Sequence, residues 1–477
     1  MKLNELSWMI AAILACAHSA LAQTPAAEAE SQTNVVVIDR NDAIRRSAQQ
    51  NPQVTAKSAE ILIAEAQIGQ VNAARFPTID FTIGVASSIA ATNADGEENG
   101  VRSEESAYDD FNFNQLRPAF IGRLTATQPI YTFGKIGLRG KAAKAGLGAA
   151  EAQKNITAAD IAIEVAEIYE GHLYAKELRL FAQDIKGVAV RAIEDTKVRL
   201  EAGAFDVTEQ DRLRLETGLG ATELLINQTD AAISQTAEGL RAFLNYPPGT
   251  MVQTEEQYLD PVSESPSTME TLIRVAEEKR PEIVALTKGI EAFDHLARAE
   301  YAEFYPNIFA LGLVSGAYTP DRDFITSRYV VDPFGHFFTG VLVGAQWKLQ
   351  WDTPKHRADE VRAESFRLTN LLEWAKVGLP AEINRYFQEV RRARKDIDQL
   401  KVTLPITKEW VVRATADYGA GFGDSRGVID AIRAFVLMKN NQLDAVFRLN
   451  TNLAQLAKAT GTLTDEGPLF LYPGERE

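Results

Sequence analysis

Four stretches of this chain alternate apolar and polar or small side chains with a period of two. From Thr78 onward, Ile79, Phe81, Ile83 and Val85 interleave with Thr78, Asp80, Thr82 and Gly84. Phe120, Leu124 and Ala126 interleave with Arg123, Thr125 and Thr127, and Phe309, Leu311 and Leu313 with Ala310 and Gly312. Between Phe337 and Leu349 the odd positions Phe337, Val341, Val343, Ala345, Trp347 and Leu349 face the even Gly340, Gly344, Gln346, Lys348 and Gln350. Successive side chains of a strand point to opposite faces, so each run predicts a β-strand with one apolar face.

Between these runs the period changes. No proline occurs between Pro129 and Pro247, and Ile161, Val165, Ile168, Leu173, Leu180 and Ile185 recur at helical spacings. A continuous helix from Gly134 to Ala202 would be about 100 Å long at ~1.5 Å per residue, which suggests coiled-coil packing rather than a globular core. Small residues such as Ala142, Ala145, Gly146 and Ala149 would let neighbouring helices approach closely. Glycine at Gly203 and Gly421 predicts tight helix–helix turns, since glycine tolerates positive φ. New amphipathic helices are expected around Thr208–Leu244 and Val428–Thr460.

The pattern is duplicated. Asn51-Pro52 opens a helix that ends at Phe76-Pro77 and breaks into a strand, and Arg280-Pro281 does the same up to Tyr305-Pro306. Gln128-Pro129-Ile130-Tyr131 and Gln346-Trp347-Lys348-Leu349 mark the second strand of each half. The offset is 229 residues at both prolines and 218 at Gln128/Gln346 and Gly203/Gly421, so the halves differ mainly by an indel between strands. The chain divides into a leader at 1–22, a first helix–strand–strand–helix repeat with its connector at 23–270, a second repeat at 271–461 and a tail at 462–477. Only the second repeat has internal prolines in its long helix. Pro380 and Pro405 are expected to kink or interrupt it.

The leader changes where these strands must live. Lys2, the apolar stretch from Leu6 to Ala17 and Ala20-Leu21-Ala22 read as a cleavable export signal. The only cysteine, Cys16, lies inside it, and a lipidated Cys16 remains open. After the leader no apolar run is long enough for a spanning helix, so a membrane role requires strands. Each strand has about the ~9–11 residues a tilted strand needs to cross a bilayer. Phe76, Tyr131, Phe304, Tyr305, Trp347 and Trp351 sit near the ends of the runs, where an interfacial girdle would lie. The acidic stretch at 89–118 reads as a solvated loop. A soluble sheet with one wet face stays open as the alternative for each strand. Four strands cannot close a barrel and an open edge cannot face lipid, so a membrane sheet of this chain must oligomerise.

Candidate chemistry is sparse. A formal charge of −15 argues against a general nucleic-acid binder. His172, His295, His336 and His356 lack partners at metal or catalytic-triad spacing, and no GxxxxGK[ST] loop is present. No catalytic residue, metal or cofactor is expected.

The ordered, duplicated set of features resembles the TolC-type outer-membrane efflux protein family over roughly residues 39–461. Asn51-Pro52 looks like that family's first helix, and Pro77 and Pro306 like its helix-to-barrel transitions. Gly203 and Gly421, the latter followed by Val428-Ile429-Asp430-Ala431, look like its periplasmic helix turns. The resemblance implies an α+β membrane protein in the outer membrane of a Gram-negative bacterium. Three protomers would each give four transmembrane β-strands to one twelve-stranded barrel, continued by an antiparallel helical tunnel through the periplasm. It implies a passive duct, for small molecules or secreted proteins, that meets a periplasmic adaptor and an inner-membrane pump of RND or ABC type. It also implies an aperture at the turns. Asp430 stands where the family has a ring aspartate that attracts cations, while Glu209 and Tyr418 stand where it has polar ties. The family's usual arginine position holds Gly423, its other ring aspartate position holds Gly427, and Arg426 is a substitute candidate for the missing tie. A periplasmic coiled-coil adaptor or structural protein without a membrane barrel is the alternative.

Overall fold

The computed structural model describes residues 35–92, 110–263, 267–320 and 332–464. The leader with Cys16, the centre of the acidic loop (93–109) and most of the tail lie outside the described residues.

The duplication predicted from sequence is present element by element. In the first repeat, α1 (Arg40–Gln50) and α2 (Pro52–Ala73) lead into β2 (Thr78–Thr92) and β3 (Asp110–Tyr131), then α3 (Lys135–Glu201) and α4 (Glu209–Phe243). A short strand, β1 (Val35–Ile38), precedes it, and β4 (Met251–Thr254) lies in the connector. In the second repeat, α5 (Met269–Lys279) and α6 (Pro281–Tyr301) lead into β5 (Asn307–Tyr318) and β6 (His336–Gln346), then α7 (Thr353–Gly419) and α8 (Ser425–Ala459). The long helices α3 and α7 have 67 residues each and their partners α4 and α8 have 35 each, so the repeats match in length where they bundle. The strands differ most, at 15 and 22 residues against 12 and 11.

Local chemistry sets the joints. Asn51 terminates α1 and caps α2: its side chain accepts from the Gln53 amide at 2.9 Å, and Pro52 supplies the fixed φ of the first helical position. The helices that precede Asn51 and Arg280 are capped at their starts by Asp39 and Thr268. Pro380 and Pro405 were expected to kink or interrupt α7; they do not interrupt it, and the helix runs through both. Each proline removes one backbone hydrogen bond, but Leu379, Ile383, Val390, Ala393 and Ile397 are buried along the same helix. Burial of several such side chains at ~1.5–3 kcal/mol each outweighs the ~3 kcal/mol cost of a proline.

The strands form one antiparallel sheet in the order β2-β3-β5-β6, with β2 and β6 as open edges among the described residues. The register carries Ile79 onto Ala126 and Gly312, and Phe81 onto Leu124 and Val314. This face holds the most exposed apolar row, with Phe81 at 67% and Val341 at 87%. The opposite face collects Asp80, Thr82, Arg123, Thr125, Ser315 and His336. One expectation is corrected here. Leu311 and Leu313 register with Thr127 and Thr125, so the apolar positions of β5 lie on the polar face and its small residues on the apolar one. Packing within the sheet explains part of it: the Phe309 ring lies against the Cα of Gly344, where a Cβ would be only 3.2 Å away.

Below the sheet, α3 packs along α4 and α6, and α7 along α6 and α8, with α8 also crossing to α3. The core lies in this helical layer, where Tyr169, Leu173, Leu240, Leu449 and Leu453 are buried. The connector is part of the fold. β4 pairs in parallel with β1, and the Tyr169 hydroxyl donates to the Ile38 carbonyl at 3.0 Å. Buried Glu170 pairs with Arg40 at 2.5 Å and accepts from Asn450 at 2.8 Å, while Asn450 accepts from the Val262 amide at 3.0 Å. Burial pushes the Glu170 carboxyl above its ordinary pKa, against the pull of Arg40 and Asn450. This polar belt joins α3, α8, the N-terminal segment and the connector at mid-helix.

Candidate functional site

The two helix turns meet at the end of the molecule away from the sheet. Gly203 (φ 74°) follows α3, and Gly421 (φ 82°) follows α7. Both have the left-handed conformation that glycine adopts without a Cβ penalty. At Gly421 a second constraint applies, since a Cβ there would lie 2.7 Å from Oδ2 of Asp206. After each turn a side chain restarts the helix. Thr208 and Asp211 form a reciprocal capping box on α4, and Asp424 accepts from the Gly427 amide at 2.7 Å on α8.

Two ties then fasten the first-repeat turn to the second. Arg199 of α3 donates to the Tyr418 backbone carbonyl at 2.7 Å, pairs with Asp206 beyond its own turn, and lies 5.6 Å from the Tyr418 ring centroid. The buried Tyr418 hydroxyl meets Thr196 Oγ1 at 2.7 Å, and Thr196 in turn donates to the Ala192 carbonyl at 2.7 Å. In the second tie, the buried Ser425 hydroxyl donates to the Asp211 carboxylate. Partial desolvation would raise the Asp211 pKa, but hydrogen bonds from Ser425 and Thr208 outweigh it and hold the group below its ordinary value. Val207, Leu215, Tyr418 and Val428 bury an apolar cluster between the ties.

The sequence candidates separate in space. Tyr418 stands at the centre of the tie. Glu209 does not reach the other turn; it is exposed and bound by Arg212 of its own helix, whose hydrogen bond lowers its pKa. Asp430 and Arg426 lie on the other side of α8, lining a cavity with Arg214 and Arg433. Pro77 and Pro306 immediately precede β2 and β5, at the helix-to-sheet transitions as expected. Arg199, Asp206, Asp211 and Ser425 were not singled out in the sequence. The Thr208-x-x-Asp211 cap was the one legible signal, but a cap alone does not reveal that its acid faces Ser425 214 residues away. Among the described residues no helix is long and apolar enough to cross a membrane.

Residues 43–245 match the sequence model of the outer membrane efflux protein family. The fold agrees with that of the CmeC outer membrane channel of Campylobacter jejuni, at a TM-score of 0.70 and 14% identity over 89% of this chain and 85% of that one. It agrees equally with VceC of Vibrio cholerae (0.68, 16%, 88% and 96%) and with the open state of the Neisseria gonorrhoeae MtrE channel (0.68, 17%, 90% and 91%). No protein of curated function matches in sequence. Residues 43–245, within the first repeat, thus match that family's sequence model, and the described chain shares the fold of these channels.

Proposed function

We propose that three copies of this chain form a passive exit duct in the outer membrane of a Gram-negative bacterium. In this reading the duct carries small molecules outward from an inner-membrane pump joined through a periplasmic adaptor. The observation that carries the proposal is the sheet with two open edges and an exposed apolar row, set directly on helices of 67 residues. Exposed strand edges are unfavourable in water and inadmissible in lipid, and joining β6 of one copy to β2 of the next removes both. Three such joints close twelve strands, with Asp80, Thr82 and Arg123 on the inner face.

The exposed Leu62, Ile63, Phe366, Trp374, Ile406 and Trp410 on α2 and α7 are then covered by neighbouring copies. The two ties at the turns are the gate in this account. They hold the α3–α4 pair against the α7–α8 pair, and separating the pairs widens the tunnel end. The family resemblance leaves the pump as RND or ABC type, and with an ABC exporter the cargo would include secreted protein.

Purified protein reconstituted in a planar lipid bilayer is expected to give uniform conductance steps. A protein that stays in the periplasmic fraction and never inserts would instead support the soluble adaptor reading.

A further inference from the structure

The cavity that Asp430 lines is not part of the tie between the turns. It has a volume of about 630 Å³, is open on one side and is bordered by α3, α4 and α8, so that its walls come from both helical pairs. This size falls within the range of sites for small organic molecules, ~300–1,000 Å³. Its walls are apolar, with Phe181, Ile185, Leu225, Ile432 and Val436 prominent. Its charged groups are Arg214 from α4 and Arg426, Asp430 and Arg433 from α8.

These groups are arranged along an axis. Because α8 starts at Ser425, Arg426 stands in its first turn and Arg433 two turns further on. Leu178 and Asn440 mark the other end of the cavity, about 20 Å from Arg426 along α8 at ~1.5 Å per residue. The cavity is therefore cationic toward the turns and apolar away from them, and the positive end of the α8 dipole lies on the cationic side.

The arginines are also under-committed. Among the described residues, neither Arg426 nor Arg433 has a carboxylate within ion-pair distance, although Asp430 lies between them on the same helix. Arg214 has only Asp211 at 3.5 Å, and that carboxylate already accepts from Ser425 and Thr208. Three guanidinium groups against one lining carboxylate leave a net positive pocket over an apolar floor. Guanidinium groups bind carboxylate, sulfonate or phosphate oxygens in pairs of parallel hydrogen bonds.

We propose that this cavity binds a small amphipathic anion: a ring system or short chain bearing one carboxylate, sulfonate or phosphate, with the acid at the arginines and the apolar part against Phe181 and Val436.

The test uses the assembled protein in lipid nanodiscs and two probes of matched shape, 2-naphthalenesulfonate and the neutral naphthalene-2-methanol, titrated calorimetrically. The sulfonate is expected to bind saturably and about tenfold or more tighter than the alcohol, the size of a charge-assisted contact. The double variant Arg214→Gln/Arg433→Gln should lose that preference. Asp430→Asn should tighten sulfonate binding, a gain that misfolding cannot imitate. Equal affinity for the two probes, or a sulfonate affinity unchanged in both variants, would overturn the proposal.

Discussion

Arg199 shows how one residue can hold two turns and still escape sequence reading. Its partners are a backbone carbonyl 219 positions later and an aspartate beyond a glycine turn. Neither relationship has a spacing, and a backbone carbonyl has no sequence signature at all. Tyr418 was legible because its type and its distance from Gly421 resembled a known pattern. Glu209 and Asp430 were chosen on the same ground, yet folding binds one within its own helix and sets the other among arginines drawn partly from the first repeat. Arg199→Met leaves the Tyr418 carbonyl and Asp206 without their donor, a loss of order 1–3 kcal/mol for groups this enclosed. Basal conductance of reconstituted channels is expected to rise in this variant, whereas Glu209→Gln should leave it unchanged; equal behaviour of the two would place the tie elsewhere.

His172 gives a second test at this scale. Desolvation, and then the charge of Lys176, hold its imidazole at a pKa of about 4, and Nδ1 lies 2.9 Å from Thr236 Oγ1. A folded pKa below the unfolded value of about 6.5 means that the neutral ring is favoured in the fold. That stability is complete above the unfolded pKa and is lost as pH falls toward about 4. Between pH 7 and pH 4.5 the wild-type protein should lose more apparent melting temperature than His172→Gln. Parallel losses in the two proteins would refute a buried neutral histidine.

Elements were read from sequence more securely than contacts. The four strands, both long helices and both turns follow from changes of period and from glycine and proline placement, which are local properties. What escaped was set by partners elsewhere. The short pair β1 and β4 acquires its strand character by pairing across more than 200 residues. The continuity of α7 through Pro380 and Pro405 rests on a packed face that outweighs a local break. The phase of β5 is fixed by register with β3, and a strand's own alternation cannot say which face is which. With register known, two adjacent residues of β2 become a sharp contrast. Phe81→Arg places a charge on the apolar outer face, at a cost of ~2–4 kcal/mol near the bilayer midplane, while Thr82→Arg places it inside. Folding into lipid vesicles, followed by heat-modifiable gel mobility, should fail or slow markedly for the first and proceed for the second. The reverse ranking would mean that the faces are inverted.

At the scale of the whole molecule the fold is incomplete as a single copy. Its sheet ends in two unpaired edges, and large apolar side chains such as Phe366, Trp374 and Trp410 stand exposed along the long helices. Both features have one remedy, lateral association with rotational closure, and in the proposed duct three copies of four strands each close a twelve-stranded barrel. The ties at the turns, the belt at mid-helix and the arginine-lined cavity all lie within one copy, so they position the helical pairs before assembly. The proposed duct therefore depends on stoichiometry more than on any single side chain. Native mass spectrometry of the protein extracted from outer membranes tests this most directly: the account predicts a mass of three mature chains, and a dominant species of one or two would contradict it.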